Sequence, residues 1–201
     1  MTPKTKTELC QIALGKIGIS KRLTDVATDQ TNEAIQLRLY YDGALDRALG
    51  ELPWRFATKT ATLTDLGTPP DNWGYRYAIP ADCVAVRKVP YAGMPTSFEG
   101  APFAIVENEA DDGLALCTDV ADATLIYTFR VTTIALYPQT FIDLFTWSLA
   151  MDIAPVLSTV PALVTAASQG YAATSLRVAA RDLNQDKTPA PTESDFITAR
   201  Y

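Results

Sequence analysis

Side chains able to do chemistry are thinly spread along this chain, and their spacing is the first thing to weigh. The 201 residues contain no histidine, which removes Ser-His-Asp and Cys-His catalysis and most zinc and non-haem iron sites. Gly15-Lys16-Ile17-Gly18 has the glycines and lysine of a phosphate loop. It lacks the GxxxxGK[ST] spacing and follows a helical pattern, not a strand, so a helix C-cap is its expected use. Asp111, Asp112, Asp119 and Asp122 supply the hard oxygens that calcium favours, but without EF-hand spacing or a closing glutamate they are expected to be solvated turn carboxylates. Glu107 and Glu109 have the residue types of a general acid and base, with nothing in the pattern that puts them in a pocket. Asp152 stands in an apolar helix, where a charge needs a partner, and Arg177 or Arg181 is the expected one. Cys10, Cys83 and Cys117 match neither a CxxC site nor a disulfide framework, which points to folding in a reducing compartment. No catalytic residue, metal or cofactor is expected, and the chain is not read as an enzyme.

The elements that must position these groups are organised around Asn32–Phe56, NEAIQLRLYYDGALDRALGELPWRF. Ala34, Leu37, Tyr41, Ala44, Leu45, Ala48 and Leu52 recur in steps of three and four, one face of an α-helix over about 31–52. Asp29, Gln30 and Thr31 offer oxygens to its first turn. Pro53 stops it, Gly43 is its soft spot, and Trp54 at the exit is expected to pack into the core. Before it, Thr5 and Glu8 have capping-box spacing for a short helix over about 5–18, which Gly18 is placed to end. The polar run 19–31 joins the two.

From Phe56 to Val131 the pattern becomes strand-like, with apolar runs at Phe56–Leu63, Trp73–Ile79, Cys83–Val89, Phe103–Val106, Leu114–Cys117 and Thr124–Val131. Short turn-rich connections make these antiparallel. The block reads as an insertion (about 56–131) between helices that need each other. A third helix over about 138–157 is apolar nearly all round, and Pro155 kinks or ends it. A fourth, about 160–184, carries a small-residue stripe of Ala162, Ala166, Ala173, Leu176, Ala180 and Leu183, with Gly170 placed for close packing. The expected fold is α+β: an antiparallel four-helix bundle with a small antiparallel β-region inserted, one domain over 1–184. Residues 185–201 lose periodicity, with Pro189 and Pro191 favouring extended backbone. Phe196, Ile197 and Tyr201 then restore apolar character at the tip of an arm that reaches about 55 Å when extended.

Composition bounds the partners. Net charge is −6 and pI near 4.6, which argues against sequence-independent DNA binding, since that needs clustered Lys and Arg. The N-terminus lacks the apolar stretch of a signal peptide. Asp143 and Asp152 interrupt the greasiest window, 141–156, so no membrane association is expected.

The order of motifs resembles the head-to-tail adaptor (connector) proteins of tailed bacteriophages, including the tail tubular protein A group. The residues that carry it are ELCQIALGKIGI, the polar joint through Asp25 and Asp29, YYDGALDRAL running into LPWRFA and TATL, Tyr75–Cys83 as YRYAIPADC, LIYTFR followed by Tyr137-Pro138 and Phe141, and the ending SDFITARY. Each is short and mostly structural; six in the right order over nearly the whole chain make the likeness. Phe196 stands where the family commonly has Trp, and the fourth helix is poorer in charge. The resemblance implies a structural protein of the virion neck, assembled in the host cytoplasm. It would form a dodecameric ring under the portal protein, with DNA passing through the lumen unbound. It also implies portal binding by Phe196, Ile197, Arg200 and Tyr201, while the β-region faces a downstream nozzle or stopper protein. Trp73, Tyr91, Met94 and Phe98 in aromatic, proline-stiffened loops are the candidates for that contact. The alternatives are another neck protein, a stopper or tail terminator, or a non-viral ligand-binding helical module.

Overall fold

The computed structural model describes residues 3, 5–70, 72–91, 100–108 and 113–185, side chains of 182–185 excepted. Helix α1 (Lys6–Lys16) opens with the expected capping box: Thr5 Oγ1 accepts from the Glu8 N–H at 3.2 Å, and Glu8 Oε2 accepts from the Thr5 N–H at 3.3 Å. It closes on Gly18 at φ +76. The Ile19 N–H donates to Leu14 O at 3.0 Å and the Gly18 N–H to Gly15 O at 3.1 Å, which satisfies the last carbonyls of the helix. Gly15–Gly18 is therefore a helix terminus.

The joint 19–31 is stitched by side chains of the two helices it connects. Arg38 donates to Val26 O and Asp29 O, both at 2.7 Å, while Gln11 holds the Lys21 carbonyl and the Leu23 N–H. Helix α2 (Asn32–Glu51) buries Ala34, Leu37, Tyr41, Ala44, Leu45, Ala48 and Leu49. Leu52 forms its C-cap, as Pro53 requires. Helix α3 (Gln139–Leu157) packs against α1, α2 and α4. It passes Pro155 and runs two residues further. With 56% of its most apolar window buried, its greasiness is accounted for by its central place in the helical layer.

Helix α4 (Pro161–Gln185) differs from expectation in the face it buries. Ala167, Thr174 and Val178 are buried, with Val164 and Tyr171 packed against the core. Ala162, Ala166, Ala173, Leu176 and Ala180 are exposed, on the opposite side at 3.6 residues per turn; the Leu183 side chain lies outside the described residues. Small apolar residues nearly encircle this helix, so periodicity did not single out the inner face. Packing decides it: a Cβ at Gly170 would lie 2.6 Å from the Trp147 ring, so the α3 indole sits directly on the α4 backbone.

The β-region also departs from expectation. Seven strands are present among the described residues: β1 (Thr58–Thr62), β2 (Thr64–Asp65), β3 (Tyr75–Ala78), β4 (Cys83–Lys88), β5 (Phe103–Asn108), β6 (Gly113–Thr118) and β7 (Thr124–Phe129). They form two antiparallel sheets, ordered β1-β7-β4 and β2-β3-β6-β5. The sheets enclose a second core of Leu63, Tyr77, Val89, Leu116, Ala123, Leu125 and Tyr127. The expected antiparallel four-helix bundle with a small β insertion is thus corrected to an α+β fold with four helices and substantial sheet. Alternation identifies a half-buried strand but not what covers its buried half. Here the two sheets bury each other's inner faces and need no helix to do it.

The corners between the sheets are made by chain that serves both. One is the passage from β1 to β2 through Leu63, whose N–H donates to Ala123 O at 2.9 Å. The other is the bridge between Val89 and Ala101, preceded by Gly100 at φ +94. A Cβ at Gly100 would fall 2.7 Å from the Val89 carbonyl oxygen. Gly100→Ala is expected to lower the unfolding free energy by about 2–3 kcal/mol through left-handed strain and overpacking. A urea midpoint equal to that of the parent protein would show that this corner relaxes freely.

Candidate functional site

The register of the sheets locates the residues read as docking candidates. β1 begins and β7 ends beside the helices, so Thr62, Thr124 and the turn between β6 and β7 lie at the remote end. The Gly74 N–H donates to Asp119 Oδ1 at 2.9 Å and Tyr77 Oη donates to Val120 O at 2.9 Å, which fixes the chain around Trp73 to that turn. Val89 bridges Ala101, two residues beyond the Phe103–Thr118 pair, so Tyr91 leaves the sheet at the same end. Trp73 is half-buried and Tyr91 exposed. Tyr75, which sequence reasoning did not single out, is also partly exposed and stacks on Tyr77 with ring centroids 6.1 Å apart. Only its place at the start of a strand beside Trp73 could have pointed to it.

Met94 and Phe98 lie outside the described residues, as do the four tail residues Phe196, Ile197, Arg200 and Tyr201. The tail follows α4 from Gln185. The last turns of α4 run beside the exit of α2, where Trp54, Phe56, Pro138, Thr140, Val178 and Arg181 line a groove of about 260 Å³.

The β-region is tied to the helices by two arginines, Arg87, which no sequence motif marks, and Arg130, the last residue of LIYTFR. Arg87 on β4 donates through Nη2 to the carbonyls of Leu49, Gly50 and Leu52 at 3.1, 3.0 and 2.7 Å, and through Nε to Thr128 Oγ1 at 2.8 Å. A guanidinium at these orphan carbonyls satisfies the C-terminus of α2 and complements its dipole. Its burial pulls its pKa down. Arg130, just after β7, pairs with Asp46 of α2. Asp82 accepts from Lys59 at 2.7 Å and from Tyr127 Oη at 3.0 Å, and the Lys59 ammonium holds its carboxyl below the usual range.

A cleft of about 570 Å³ at this junction is lined by Asp46, Ala81, Asp82, Cys83, Val84 and Arg130. Its charged groups are paired with each other or with Lys59. Burial, and then Asp82, push the Cys83 thiol up, which is the wrong direction for a nucleophile. The groups weighed for chemistry are likewise occupied or dispersed. Asp119 accepts from Gly74, Asp122 sits in the β6–β7 turn at φ +49, and Asp111 and Asp112 lie outside the described residues. Among the described residues no cluster of three metal-ligating side chains occurs. Glu107 is exposed on β5, and Glu109 lies outside the described residues. Asp152 is paired, but with Arg47 of α2 at 2.9 Å and not with Arg177 or Arg181. Neighbouring turns of α2 and α3 set that choice.

Lys16, the lysine of the phosphate-loop-like run, points inward. Its Nζ donates to Thr146 Oγ1 at 2.7 Å and Asp143 O at 3.0 Å, and lies 4.4 Å from the Trp147 ring centroid. Burial pulls its pKa from 10.5 to about 8, against the attraction of Asp143. Between those values the folded chain binds fewer protons than the unfolded one, so this group adds stability as pH rises through the window. The stability of the protein relative to Lys16→Met, measured in urea at pH 7.5 and 9.5, is expected to move toward the native lysine at the higher pH. A flat or reversed difference would mean that the amine stays hydrated.

No protein-family model matches the chain, and no curated protein matches it. The functional reading therefore rests on its own residues.

Proposed function

We propose that this protein is a head-to-tail adaptor of a tailed-phage virion, a structural ring subunit that joins the portal to the tail around the DNA exit channel. The observation that carries the reading is the ordered run of six segments along nearly the whole chain. Several of them coincide with junctions of the fold. LPWRFA is the exit of α2 into β1, YRYAIPADC is β3, its turn and the start of β4, and LIYTFR is β7 and its paired Arg130.

The physics of the parts supports the same reading. Residues 190–201 place Phe196, Ile197 and Tyr201 at the end of a proline-containing arm. Burying each returns roughly 1.5–3 kcal/mol, less the entropy of ordering the arm. One such arm binds weakly, and many held on one ring bind durably through avidity. The chain is then a monomer until the portal collects copies of it. The links from Arg87 and Arg130 to α2 suit a part that transmits position from helices to the remote β end, where Trp73 and Tyr91 meet the next tail component.

Electron microscopy of the purified chain mixed with its portal tests this. Coaxial ring density beneath the portal is expected, with the free chain sedimenting as a monomer. A portal left bare by excess chain would overturn the reading, and a stable ring without portal would overturn the templating.

A further inference from the structure

Two helix faces are left exposed by the described residues. On α2, Ile35 and Leu39 are 43% and 69% exposed, and Asp42 is exposed beside them. Gly43 is exposed in the same stripe with open space above it, since a Cβ there would meet nothing within 4 Å. On α4, Leu176 is 73% exposed among small side chains, and Arg177 flanks it, 4.0 Å from Asp143. Both helices turn their buried stripes toward α3, so these outer stripes are separate surfaces.

We infer that the outer face of α4 in one copy docks on the outer face of α2 in a second copy, with Leu176 seated over Gly43 and Leu39 lying among the alanines of α4. The inference rests on the adaptor reading for what gathers the copies, while the faces are assigned from their own chemistry. Charge selects this pairing. Two α2 faces together would set Asp42 near Asp42, and two α4 faces would oppose their arginines, whereas α2 against α4 brings Asp42 to Arg177. The contact is therefore head-to-tail, the kind that closes into rings when repeated.

Its size also fits. The 20 residues of α2 offer a strip about 30 Å by 10 Å, roughly 300 Å² on each partner and 600 Å² in total. That is well below the ~1,200 Å² of a stable complex. Free copies stay apart at ordinary concentration, and the contact forms when copies are held side by side.

Cysteine cross-linking tests the faces, with the unsubstituted protein as control because Cys10 and Cys117 are buried and Cys83 half-buried. Leu39→Cys alone and Ala173→Cys alone are expected to give no dimer under mild oxidation, on the portal or at about millimolar protein. A mixture of the two gives dimers only. The double variant gives a ladder, and adding Leu176→Asp lowers the ladder about tenfold with an unchanged circular dichroism spectrum. A dimer from either single variant alone, no product from the mixture, or a ladder indifferent to Leu176→Asp overturns the assignment. Portal-bound copies that fail to cross-link overturn the faces and leave the adaptor reading intact. Cross-linking at high concentration without portal binding upholds the faces and removes that reading.

Discussion

Trp54→Ala is expected to destabilise the fold by about 3–5 kcal/mol, the cost of emptying a large aromatic site in a core. Trp54 lies between the end of α2 and the 3-10 turn Arg55–Ala57 that leads into β1, and it touches both sides of that junction. Its ring meets Phe141 edge-on at 5.2 Å and tilts against Phe56 at 5.8 Å. Its Nε1 donates to Ala48 O at 2.8 Å, a buried carbonyl near the helix end that alanine would leave without this donor. Phe56 and Phe141 in turn pack on Tyr137, so the cavity would open at the meeting point of α2, α3 and the first strand. Trp54→Phe separates the parts, keeping most of the apolar volume while losing the indole N–H. Thermal and urea unfolding of the two variants measures this. An unchanged melting temperature for Trp54→Ala would move the residue from the core to an interface.

Deleting residues 190–201 is expected to have the opposite signature: complete loss of portal attachment with helical content and melting temperature nearly unchanged. Among the described residues the two cores are built from residues up to Val178 of α4. The arm would contribute apolar anchors only to a partner, where the cost of ordering it is met by burial in the complex. Co-sedimentation with portal, alongside circular dichroism of the free protein, reads both halves of the prediction. Unfolding on truncation would make the arm part of the core.

Much of the framework was legible because it is written in local chemistry. Thr5 and Glu8 start α1, Gly18 ends it and Pro53 stops α2, each through backbone groups within a few residues. Each of the six apolar runs overlaps one strand, and two of them, Phe103–Val106 and Leu114–Cys117, fall short of its ends. What escaped was set at longer range. The extra strand, Thr64–Asp65, has no apolar pattern because both its residues are exposed, and it is recognised only by pairing with β3. The docking candidates were partly legible: Trp73 and Tyr91 stand out as aromatics among turn residues, but their shared position at one end depends on strand register.

The sequence by itself determined the start of α1, the C-cap at Gly15–Gly18, the stop of α2 at Pro53 and the core stripe of α2, because capping, backbone restriction and periodicity act over one or two turns. Tertiary structure alone decided that the sheets bury each other, that α4 turns Ala167, Thr174 and Val178 inward, and that Asp152 pairs with Arg47. Those outcomes depend on which surfaces meet, and residues about a hundred positions apart meet only when the whole chain has packed.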